Sequence, residues 1–518
     1  MKFLFRVDAS LSIGTGHVMR CLALARKLKK NNCEIEFISR KHEGNLIKKI
    51  RENGFKVYEL EVLESPNFQN RHNHSSFLGA SQLQDAEACK QKILGRHYDW
   101  FVIDHYSIDS VWERELKPFY DKLIVIDDLA NRKHISDILI DQTFLREEKA
   151  YKKIVPKSCT LLLGPEYALL REEFSKHRSL SLKYRKNSKL DQIFINLGGT
   201  DLYNHTHDIL RILSKIKLPH TKIKVVIGSN SPHTDKIISE AAELANCEVL
   251  VDVENMAELM SESDIAIGAS GSSTWERCSL GLPTIQIPVA KNQYEISKKL
   301  SEHNVVESID MVDEIPALLE TATEWMSDKS KKSSEICDGN GCSRVLHEMK
   351  DHKLFIKEYG EIELCNYVNL CNYERDLTLE MRNHPSVSSM MLSQQEIGPE
   401  THQRFLEELK HDKSRVYFLV KHDLNLIGSI NFSNIKFGHH VDFGIYTNPF
   451  LRLVGKGSIL ESVASTYAFN ILDVKKIRLE VISDNFRAFK FYKKHGYQFI
   501  DKKKMNKRDI ISMEKVKK

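Results

Sequence analysis

The sequence predicts an α/β protein made of two doubly wound parallel halves, followed by an α+β domain. Three observations lead to this fold class. Short apolar segments alternate with helix-like segments over roughly the first two thirds of the 518 residues, and a glycine-rich turn opens each half. Beyond these halves the pattern changes to longer strands of alternating polarity, joined by short turns. The 41% hydrophobic content supplies apolar residues for more than one core.

The first half covers residues 1–180 and opens with a strand, a turn and a helix. Residues 2–8 are predicted to form the strand and "GTGH" at 14–17 the turn, and the leucines between Val18 and Lys30 have helical spacing. Three later apolar runs are predicted to be further strands of this half: 33–40, 100–106 and 122–130.

The second half covers residues 181–345 and repeats the same alternation after a charged segment at 172–191. Its strands are predicted at five apolar runs: 192–201, 222–230, 247–253, 263–270 and 282–289. Two α/β halves of this kind enclose a cleft, and ligands of such sheets bind at the carboxyl ends of the strands. We therefore expect the chemistry of residues 1–345 to lie in that cleft.

The third domain is expected at 359–518, after a linker at 346–358 where the pattern dissolves into polar residues. Three consecutive strands, "RVYFLVKH", "NLIGSINFSNI" and "HVDFGIYT", form an antiparallel meander. Two helices, at 457–470 and 485–495, flank a strand at 476–483, and a basic hairpin follows. These elements predict an α+β domain of average size.

Composition and charge exclude several classes of protein. The net charge of +5 is small and the basic residues are scattered, so we expect no nucleic-acid partner. Ten cysteines at irregular spacing favour reduced thiols, and we assign no metal site to Cys337 and Cys342. The first residues lack the apolar region of a signal peptide, and no apolar run is long enough to cross a membrane. We expect a cytoplasmic protein without a membrane partner, and its oligomeric state is open.

The turn at 14–17 is the first candidate site. Gly14 and Gly16 precede a helix N-terminus, where unpaired backbone N–H groups favour a phosphate or a developing negative charge. His17 beside them can accept a proton near neutral pH. The alternative is that the glycines only permit a tight turn, which His17 caps.

The second half contains two further glycine turns. One is "NLGGTD" at 196–201, which includes Gly199, and the other is "GASGSSTWERCSLGLP" at 268–283. Small residues let a diphosphate approach the backbone, and hydroxyl groups add hydrogen-bond donors. A carboxylate such as Glu276 can accept hydrogen bonds from two ribose hydroxyls; the alternative is a capping segment in which Glu276 interacts favourably with the helix dipole. The candidate substrate contacts in the second turn are Gly271, Ser272, Ser273, Thr274 and Glu276.

The "GTGH" turn, together with "STWERCSLGLP" at 273–283 and "KNQ" at 291–293, resembles the UDP-2,4-diacetamido-2,4,6-trideoxy-β-L-altropyranose hydrolases of pseudaminic acid biosynthesis over roughly residues 1–345. That family has the GT-B fold of two Rossmann-like halves and is similar to the glucosaminyltransferase of peptidoglycan synthesis. The resemblance implies that water attacks the anomeric carbon and expels UDP without a metal ion, with His17 as the general base.

The same resemblance assigns further residues. It places Asn255 and Met256, in "DVENM" at 252–256, beside the uracil ring, and Asn292 and Gln293 beside the sugar. Asp8 and Arg20 flank the first turn as weaker candidates. We expect Arg20 to be a solvated or packing residue.

The third domain contains two motifs with chemical meaning. "RLVGKGSIL" at 452–460 has the form Arg-x-x-Gly-x-Gly between a strand and a helix, where backbone amides can surround a pyrophosphate, and "NFRAFKFYKKHGYQF" at 485–499 follows. Together they resemble the GNAT acetyltransferases over approximately 359–518. The resemblance implies acetyl-CoA as co-substrate, bound by six residues: Ile445, Tyr446, Arg452, Gly455, Gly457 and Asn485.

Tyr492 matches the tyrosine that protonates the departing thiolate in that family. The alternative is that Tyr492 belongs to the aromatic core face of its helix. Asn485 binds the cofactor or caps the helix, and these two roles are compatible. The general base of this domain is not identified by the sequence.

The segment "EMRNHPSVSSMMLS" at 380–393 is similar to the acetyltransferases that modify the 4-amino group of UDP-4-amino-4,6-dideoxy-N-acetyl-β-L-altrosamine. The product of that reaction is the substrate of the hydrolase that residues 1–345 resemble. We therefore predict a bifunctional enzyme with UDP-sugar substrates, in which tethering raises the local concentration of the intermediate. The alternatives are a glycosyltransferase fused to an acetyltransferase, a non-catalytic nucleotide-sugar sensor whose second domain acetylates proteins, and the same chemistry on another nonulosonic acid precursor.

Overall fold

The structure is a computed structural model and describes residues 1–63, 75–186, 189–216, 218, 220–505 and 508–517. The chain divides into two compact units: Met1–Lys29 with Cys33–Cys342, and Ser343–Lys518 with Lys30–Asn32. The first unit contains two parallel sheets and the second a mainly antiparallel sheet. The predicted fold class is confirmed.

The first sheet has seven parallel strands. They are β1 Lys2–Val7, β2 Glu34–Arg40, β3 Lys56–Leu60, β4 Tyr98–Asp104, β5 Tyr120–Ile126, β6 Ile138–Asp141 and β7 Thr160–Leu163. The helices of this half are α1 Gly16–Lys30, α2 Ile47–Glu52, α3 Gln82–Lys92, α4 Ser110–Leu116 and α5 Glu172–Tyr184. The strand order is β3-β2-β1-β4-β5-β6-β7, so the direction of winding reverses between β1 and β4. In sheets of this type the ligand binds at that reversal.

The second sheet repeats the arrangement with six parallel strands. They are β8 Gln192–Asn196, β9 Lys222–Ile227, β10 Cys247–Val251, β11 Ile265–Ala269, β12 Thr284–Ile287 and β13 Glu307–Ser308. The helices are α6 His205–Leu213, α7 Thr234–Ala242, α8 Met256–Ser261, α9 Ser273–Ser279, α10 Lys291–Glu302, α11 Ile315–Glu320, α12 Ala322–Ile336 and α13 Gly341–Glu348. The order β10-β9-β8-β11-β12-β13 reverses between β8 and β11. The glycine turns predicted at 196–201 and 268–283 follow these two strands.

The second unit is built on eight strands. They are β14 His352–Ile356, β15 Gly360–Asn366, β16 Val416–His422, β17 Asn425–Lys436, β18 His440–Thr447, β19 Lys476–Ile482, β20 Gln498–Met505 and β21 Arg508–Val516, in the order β14-β15-β16-β17-β18-β19-β21-β20. The helices are α14 Asn372–Asn383, α15 Pro385–Ser388, α16 Pro399–Leu409, α17 Lys456–Thr466 and α18 Phe486–Lys494. The predicted meander corresponds to β16, β17 and β18.

Strands β18 and β19 form the one parallel pair among the described strands of this sheet, and they pair only at their first three residues. The register joins His440 to Lys476, Val441 to Ile477 and Asp442 to Arg478. Beyond these pairs β18 continues to Thr447 without a partner on this side. The two strands therefore separate and leave an opening at the carboxyl half of β18, directly before the predicted pyrophosphate turn.

The segment 346–358, which we expected to be a linker, contains the end of α13 and the strand β14. β14 pairs with β15 from His352 to Ile356, and alternate residues of the strand are buried. The sequence pattern concealed this short strand because the alternation of buried and exposed positions does not follow the polarity of its residues: His352 is buried and Phe355 is exposed. In the described ranges, no helix is long and apolar enough to cross a membrane.

Candidate active sites

The first turn follows β1, at the point where the winding of the first sheet reverses. Gly14 has a φ of +80°, a left-handed conformation that favours glycine. The turn places His17 in the first turn of α1, next to the carboxyl end of β4. Because β4 ends at Asp104, the fold brings the imidazole and this carboxylate together although 87 residues separate them.

His17 and Asp104 form a hydrogen-bonded pair, with 2.6 Å between Nδ1 and Oδ1. Arg20, one helical turn further along α1, donates to Asp104 Oδ2 through Nε at 2.6 Å and to Oδ1 through Nη2 at 2.7 Å. Its Nη1 donates to Asp128 at 2.6 Å. The ring of Tyr106 contacts His17 edge-on at 4.5 Å between centroids. Arg20 is therefore a buried ion-pair residue that fixes Asp104, not a solvated one.

Asp104 determines which nitrogen of His17 can accept a proton. Burial alone would raise the pKa of Asp104, but the charge of Arg20 and then that of His17 hold it well below its ordinary value, so the carboxylate is ionised. An ionised carboxylate accepts a hydrogen bond from Nδ1–H, which leaves the lone pair on Nε2. The side chain of His17 is 10% exposed, whereas that of Asp104 is fully buried. The geometry thus suits a proton acceptor held in one tautomer.

The glycine turns of the two halves meet beside this pair. A Cβ on Gly199 would lie 2.6 Å from Thr15 Oγ1, and a Cβ on Gly16 would lie 3.1 Å from Ser272 Oγ. The carbonyl oxygen of Gly199 also approaches Gly228 so closely that no side chain fits there. We call these five residues the turn cluster. It brings together Gly16, Gly199 and Ser272, which the sequence predicted as substrate contacts from three separate motifs.

The other predicted residues of the second half occupy different positions around the turn cluster. The amide of Gln293 accepts from Val289 N at 3.0 Å, and its Nε2 lies 3.7 Å from the Cβ position of Gly271. The side chain of Glu276 is 19% exposed, and Arg171 donates to its Oε1 at 3.4 Å. One carboxylate oxygen is thus engaged by the protein, and the predicted contact of Glu276 with the ribose stays a prediction.

Three other predicted substrate contacts, Thr274, Met256 and Asn255, have side chains that pack or hydrogen-bond within the protein. Thr274 is buried, and its hydroxyl donates to Gln286 Oε1 and accepts from Arg277 Nη2, each at 3.2 Å. Met256 belongs to the apolar core of the second half, while Asn255 is exposed and donates to Glu258. Asn292 lies in α10, and its side chain is outside the described part of the structure. The predicted contacts of these residues with substrate stay predictions.

In the second unit, the predicted pyrophosphate turn connects β18 to α17. Gly455 precedes the helix with a φ of +86°. A Cβ on Gly457 would lie 3.3 Å from the ring of Phe491 in α18, so a larger residue would require that ring or the turn to shift. The side-chain ammonium of Lys456 donates to the carbonyl oxygens of Asn448 and Leu451, which fixes the start of the turn. Arg452 is exposed. The turn lies at the opening between β18 and β19, and the role predicted for it in binding coenzyme A stays a prediction.

Tyr492 is 8% exposed and packs edge-on against Phe443 and Tyr497. Burial, followed by the charge of Glu461, raises its pKa above the ordinary value, which keeps the phenol protonated as a general acid requires. Asn485 Oδ1 accepts from Ala488 N at 3.1 Å and therefore caps α18. The core and capping alternatives thus describe real contacts, and they do not conflict with the predicted roles.

Ile445 and Tyr446 are half-buried on β18, where it has left β19. The Tyr446 hydroxyl lies 2.9 Å from that of Tyr367, which donates to Ser429 Oγ at 2.8 Å. This chain of hydroxyls was not predicted, because Tyr367 and Ser429 occupy segments without a recognisable motif. Asp104, Asp128 and Tyr106 were also missed, although the predicted strands "WFVIDHY" and "KLIVIDDLA" contain them. Asp8, a weaker candidate, is fully buried and accepts from Arg6 Nη1 at 2.6 Å.

Two family models match the chain. The glycosyltransferase family 28 C-terminal domain matches residues 195–348. The acetyltransferase (GNAT) family matches residues 380–497. The first match covers Gly199, Gly228 and Ser272 of the turn cluster, and the second covers the predicted pyrophosphate turn.

Individual relatives cover both parts. The UDP-2,4-diacetamido-2,4,6-trideoxy-β-L-altropyranose hydrolase of Campylobacter jejuni is 30% identical over 293 residues, which are 57% of this chain and 93% of that protein. The acetyltransferase PseH of Campylobacter jejuni is 37% identical over 143 residues, 28% of this chain and 88% of that protein. The chain belongs to both families, as a fusion of one member of each.

A protein of Methanocaldococcus jannaschii without an assigned function is 25% identical over 520 residues and spans 98% of both chains, so it matches the fusion throughout. A crystal structure of the Campylobacter jejuni PseH acetyltransferase in complex with acetyl coenzyme A matches 30% of this chain and 99% of that chain, with 30% identity and a TM-score of 0.25. The predicted membership of the two families is confirmed, and the individual roles of the site residues stay predictions.

Proposed function

We propose that the chain catalyses two consecutive reactions of pseudaminic acid biosynthesis. The second unit transfers the acetyl group of acetyl-CoA to the 4-amino group of UDP-4-amino-4,6-dideoxy-N-acetyl-β-L-altrosamine. The first unit then hydrolyses UDP-2,4-diacetamido-2,4,6-trideoxy-β-L-altropyranose to UDP and the free sugar. The observation that carries the proposal is the 2.6 Å bond between His17 and Asp104 beside the turn cluster, in a chain that belongs to both enzyme families.

In the hydrolytic reaction, His17 Nε2 accepts a proton from a water molecule as that water attacks the anomeric carbon. The bond between this carbon and the diphosphate oxygen breaks, and UDP leaves with the bonding electrons. Asp104 stabilises the imidazolium that forms, because its carboxylate already accepts from Nδ1. Diphosphate is a good leaving group, so the main tasks of the protein are to position the water and to stabilise the departing charge.

In the acetyl transfer, the sugar amine attacks the thioester carbonyl carbon of acetyl-CoA. The carbon–sulfur bond then breaks, and Tyr492 donates its phenolic proton to the thiolate of coenzyme A. The turn at 452–457 holds the pyrophosphate, and the opening between β18 and β19 admits the pantetheine arm. The nitrogen, which becomes positively charged as it attacks, loses a proton to solvent.

Fusion of the two activities tethers the second unit, which makes the intermediate, to the first unit, which consumes it. The acetylated UDP-sugar that leaves the second unit is the proposed substrate of the first, and a covalent tether raises its local concentration. We propose domain boundaries at 1–180, 181–345 and 359–518. Equal leakage of the intermediate from the fusion and from a mixture of two single-site variants would exclude any advantage of the tether.

The test of the hydrolase assignment is hydrolysis of the diacetamido UDP-sugar in water enriched in ¹⁸O. The proposal predicts UDP without ¹⁸O, because the carbon–oxygen bond breaks and not the phosphorus–oxygen bond. His17→Ala is expected to lose hydrolysis by about 10² to 10⁴-fold, the usual contribution of a general base. Tyr492→Phe is the matched control, which should hydrolyse normally and fail to acetylate. UDP that contains ¹⁸O, or release of UDP only after a sugar acceptor is added, would overturn the assignment.

A further inference from the structure

Arg277 is a buried cation beneath the loop that joins β11 to α9. Arg277 is 1% exposed, and its guanidinium donates hydrogen bonds to uncharged oxygens. Nη2 donates to Ala269 O at 2.7 Å, and Nη1 donates to Ser273 Oγ at 3.1 Å. Nε is buried without a hydrogen-bond partner. A buried charge ordinarily has an ionic partner, and in the part of the chain that the structure describes no carboxylate forms an ion pair with Arg277.

Three other buried arginines of the same unit differ from Arg277 in this respect, whereas Arg185, like Arg277, donates to uncharged oxygens. Arg6 and Arg40 both pair with Asp85, and Arg20 pairs with Asp104. Burial lowers the pKa of Arg277 to about 10, and the neighbouring Cys278 and Glu276 oppose this shift only in part. The guanidinium therefore stays protonated at neutral pH while its countercharge is missing from its surroundings.

The local sequence makes room for this cation below the loop. Gly268 lies at the carboxyl half of β11, and a Cβ there would come within 2.6 Å of Arg277 Nη1. Because Ser273 Oγ accepts a hydrogen bond from Arg277, its own hydroxyl hydrogen can be donated to another group. Ser273 is half-buried, and its neighbour Ser272 belongs to the turn cluster. The guanidinium thus polarises a hydroxyl that lies beside the proposed position of a diphosphate.

We propose that Arg277 supplies the positive charge that balances the diphosphate of a bound UDP-sugar, and that it acts through the hydroxyl of Ser273. This inference rests on the proposed hydrolase function. Arg277 is a positioning residue, because it contacts the loop and not the substrate. The missing countercharge arrives with a nucleoside diphosphate, so the cation serves binding and departure of UDP more than it serves the fold.

The experiment compares the affinities of UDP and uridine for the full chain by calorimetry. Arg277→Met is expected to weaken UDP binding by roughly 10-fold to 100-fold, the effect of one buried charge on a nearby anion, and to leave uridine binding unchanged. Arg277→Lys should retain part of the UDP affinity because the charge remains. Ser273→Ala removes the hydroxyl that accepts from Arg277. It is expected to weaken UDP binding about tenfold without affecting uridine binding.

Arg185→Met is the matched control. Arg185 is also buried in this unit, and it donates to the carbonyl oxygens of Met260, Ser263 and Leu280. Its loss should lower the melting temperature without changing the ratio of UDP to uridine affinity. An unchanged ratio of UDP to uridine affinity in both Arg277→Met and Ser273→Ala would overturn the inference. If Arg277→Met does not fold, the result with Ser273→Ala decides. A wild-type chain that binds neither ligand would overturn the proposed hydrolase function as well.

Discussion

Replacing Asp104 with Asn tests how much the proposed hydrolysis depends on the partner of His17. The amide has nearly the same shape as the carboxylate but no charge, and its NH2 group cannot accept a hydrogen bond from Nδ1–H. His17 can then adopt the wrong tautomer, and the imidazolium that forms during the reaction loses its counter-ion. Both effects act on the transition state and leave the groups around the turn cluster unchanged.

The magnitude follows from the contacts of Asp104. A hydrogen bond to a charged group contributes about 1.5–3 kcal/mol, which corresponds to a fall of roughly 10-fold to 150-fold in kcat. The same substitution removes one counter-ion of Arg20. Breaking a buried ion pair costs about 3–5 kcal/mol of stability, and we expect the lower end because Arg20 retains its 2.6 Å contact with Asp128.

The assay is the steady-state release of UDP, with kcat and KM measured separately. We expect kcat to fall with KM within about twofold, because Asp104 does not contact the substrate. Asp128→Asn is the control, since Asp128 contacts Arg20 and Tyr106 but not His17. Acetyl transfer by the second unit serves as a measure of intact protein. An Asp104→Asn variant that keeps full kcat while acetylating normally would refute the role given to this pair.

Three further substitutions test the stability of the second unit and separate the two sites. His352 is buried, and burial followed by the charge of His347 lowers its pKa to about 3. As pH falls below about 6.5, the unfolded state therefore binds a proton before the folded state does, and the second unit should lose up to about 1.4 kcal/mol of stability per pH unit. His352→Leu should reduce this slope in calorimetry between pH 7 and 5. Gly457→Val should raise the KM for acetyl-CoA about tenfold through contact with Phe491 and leave UDP release unchanged. Glu276→Gln should weaken UDP and uridine alike by about tenfold, since the carboxylate is assigned to the ribose, whereas a loss confined to UDP would contradict that assignment.

The alternation of strands and helices in the sequence predicted the two parallel sheets but missed the strands β3, β6, β7 and β13. Each buried strand reads as a continuous apolar run, as "FVID" at 101–104 does, because helices cover both faces of a parallel sheet. β14 was missed because only alternate residues of this short antiparallel strand are buried, which left a mixed sequence within a polar segment. The opening between β18 and β19 depends on where two distant strands stop pairing, and no local pattern encodes it.

The candidate site was predictable where a motif carries its own chemistry. His17, Gly455 and Gly457 lie in turns whose residue types already indicate their use. Asp104 acquires its role only when β1 and β4 become neighbours, and an acidic residue at the end of an apolar strand was the sole signal for it. Arg277 gave no signal at all, because in the sequence it reads as an ordinary charged residue of a short helix.

The most direct measurement of the central claim is an NMR time course of the intact chain with acetyl-CoA and UDP-4-amino-4,6-dideoxy-N-acetyl-β-L-altrosamine. The account predicts that the N-acetylated UDP-sugar appears first and that UDP and the free diacetamido sugar follow. With His17→Ala the same course should stop at the acetylated UDP-sugar. Hydrolysis of the unacetylated substrate at the same rate, or acetylation without any UDP release by the wild-type chain, would contradict the account.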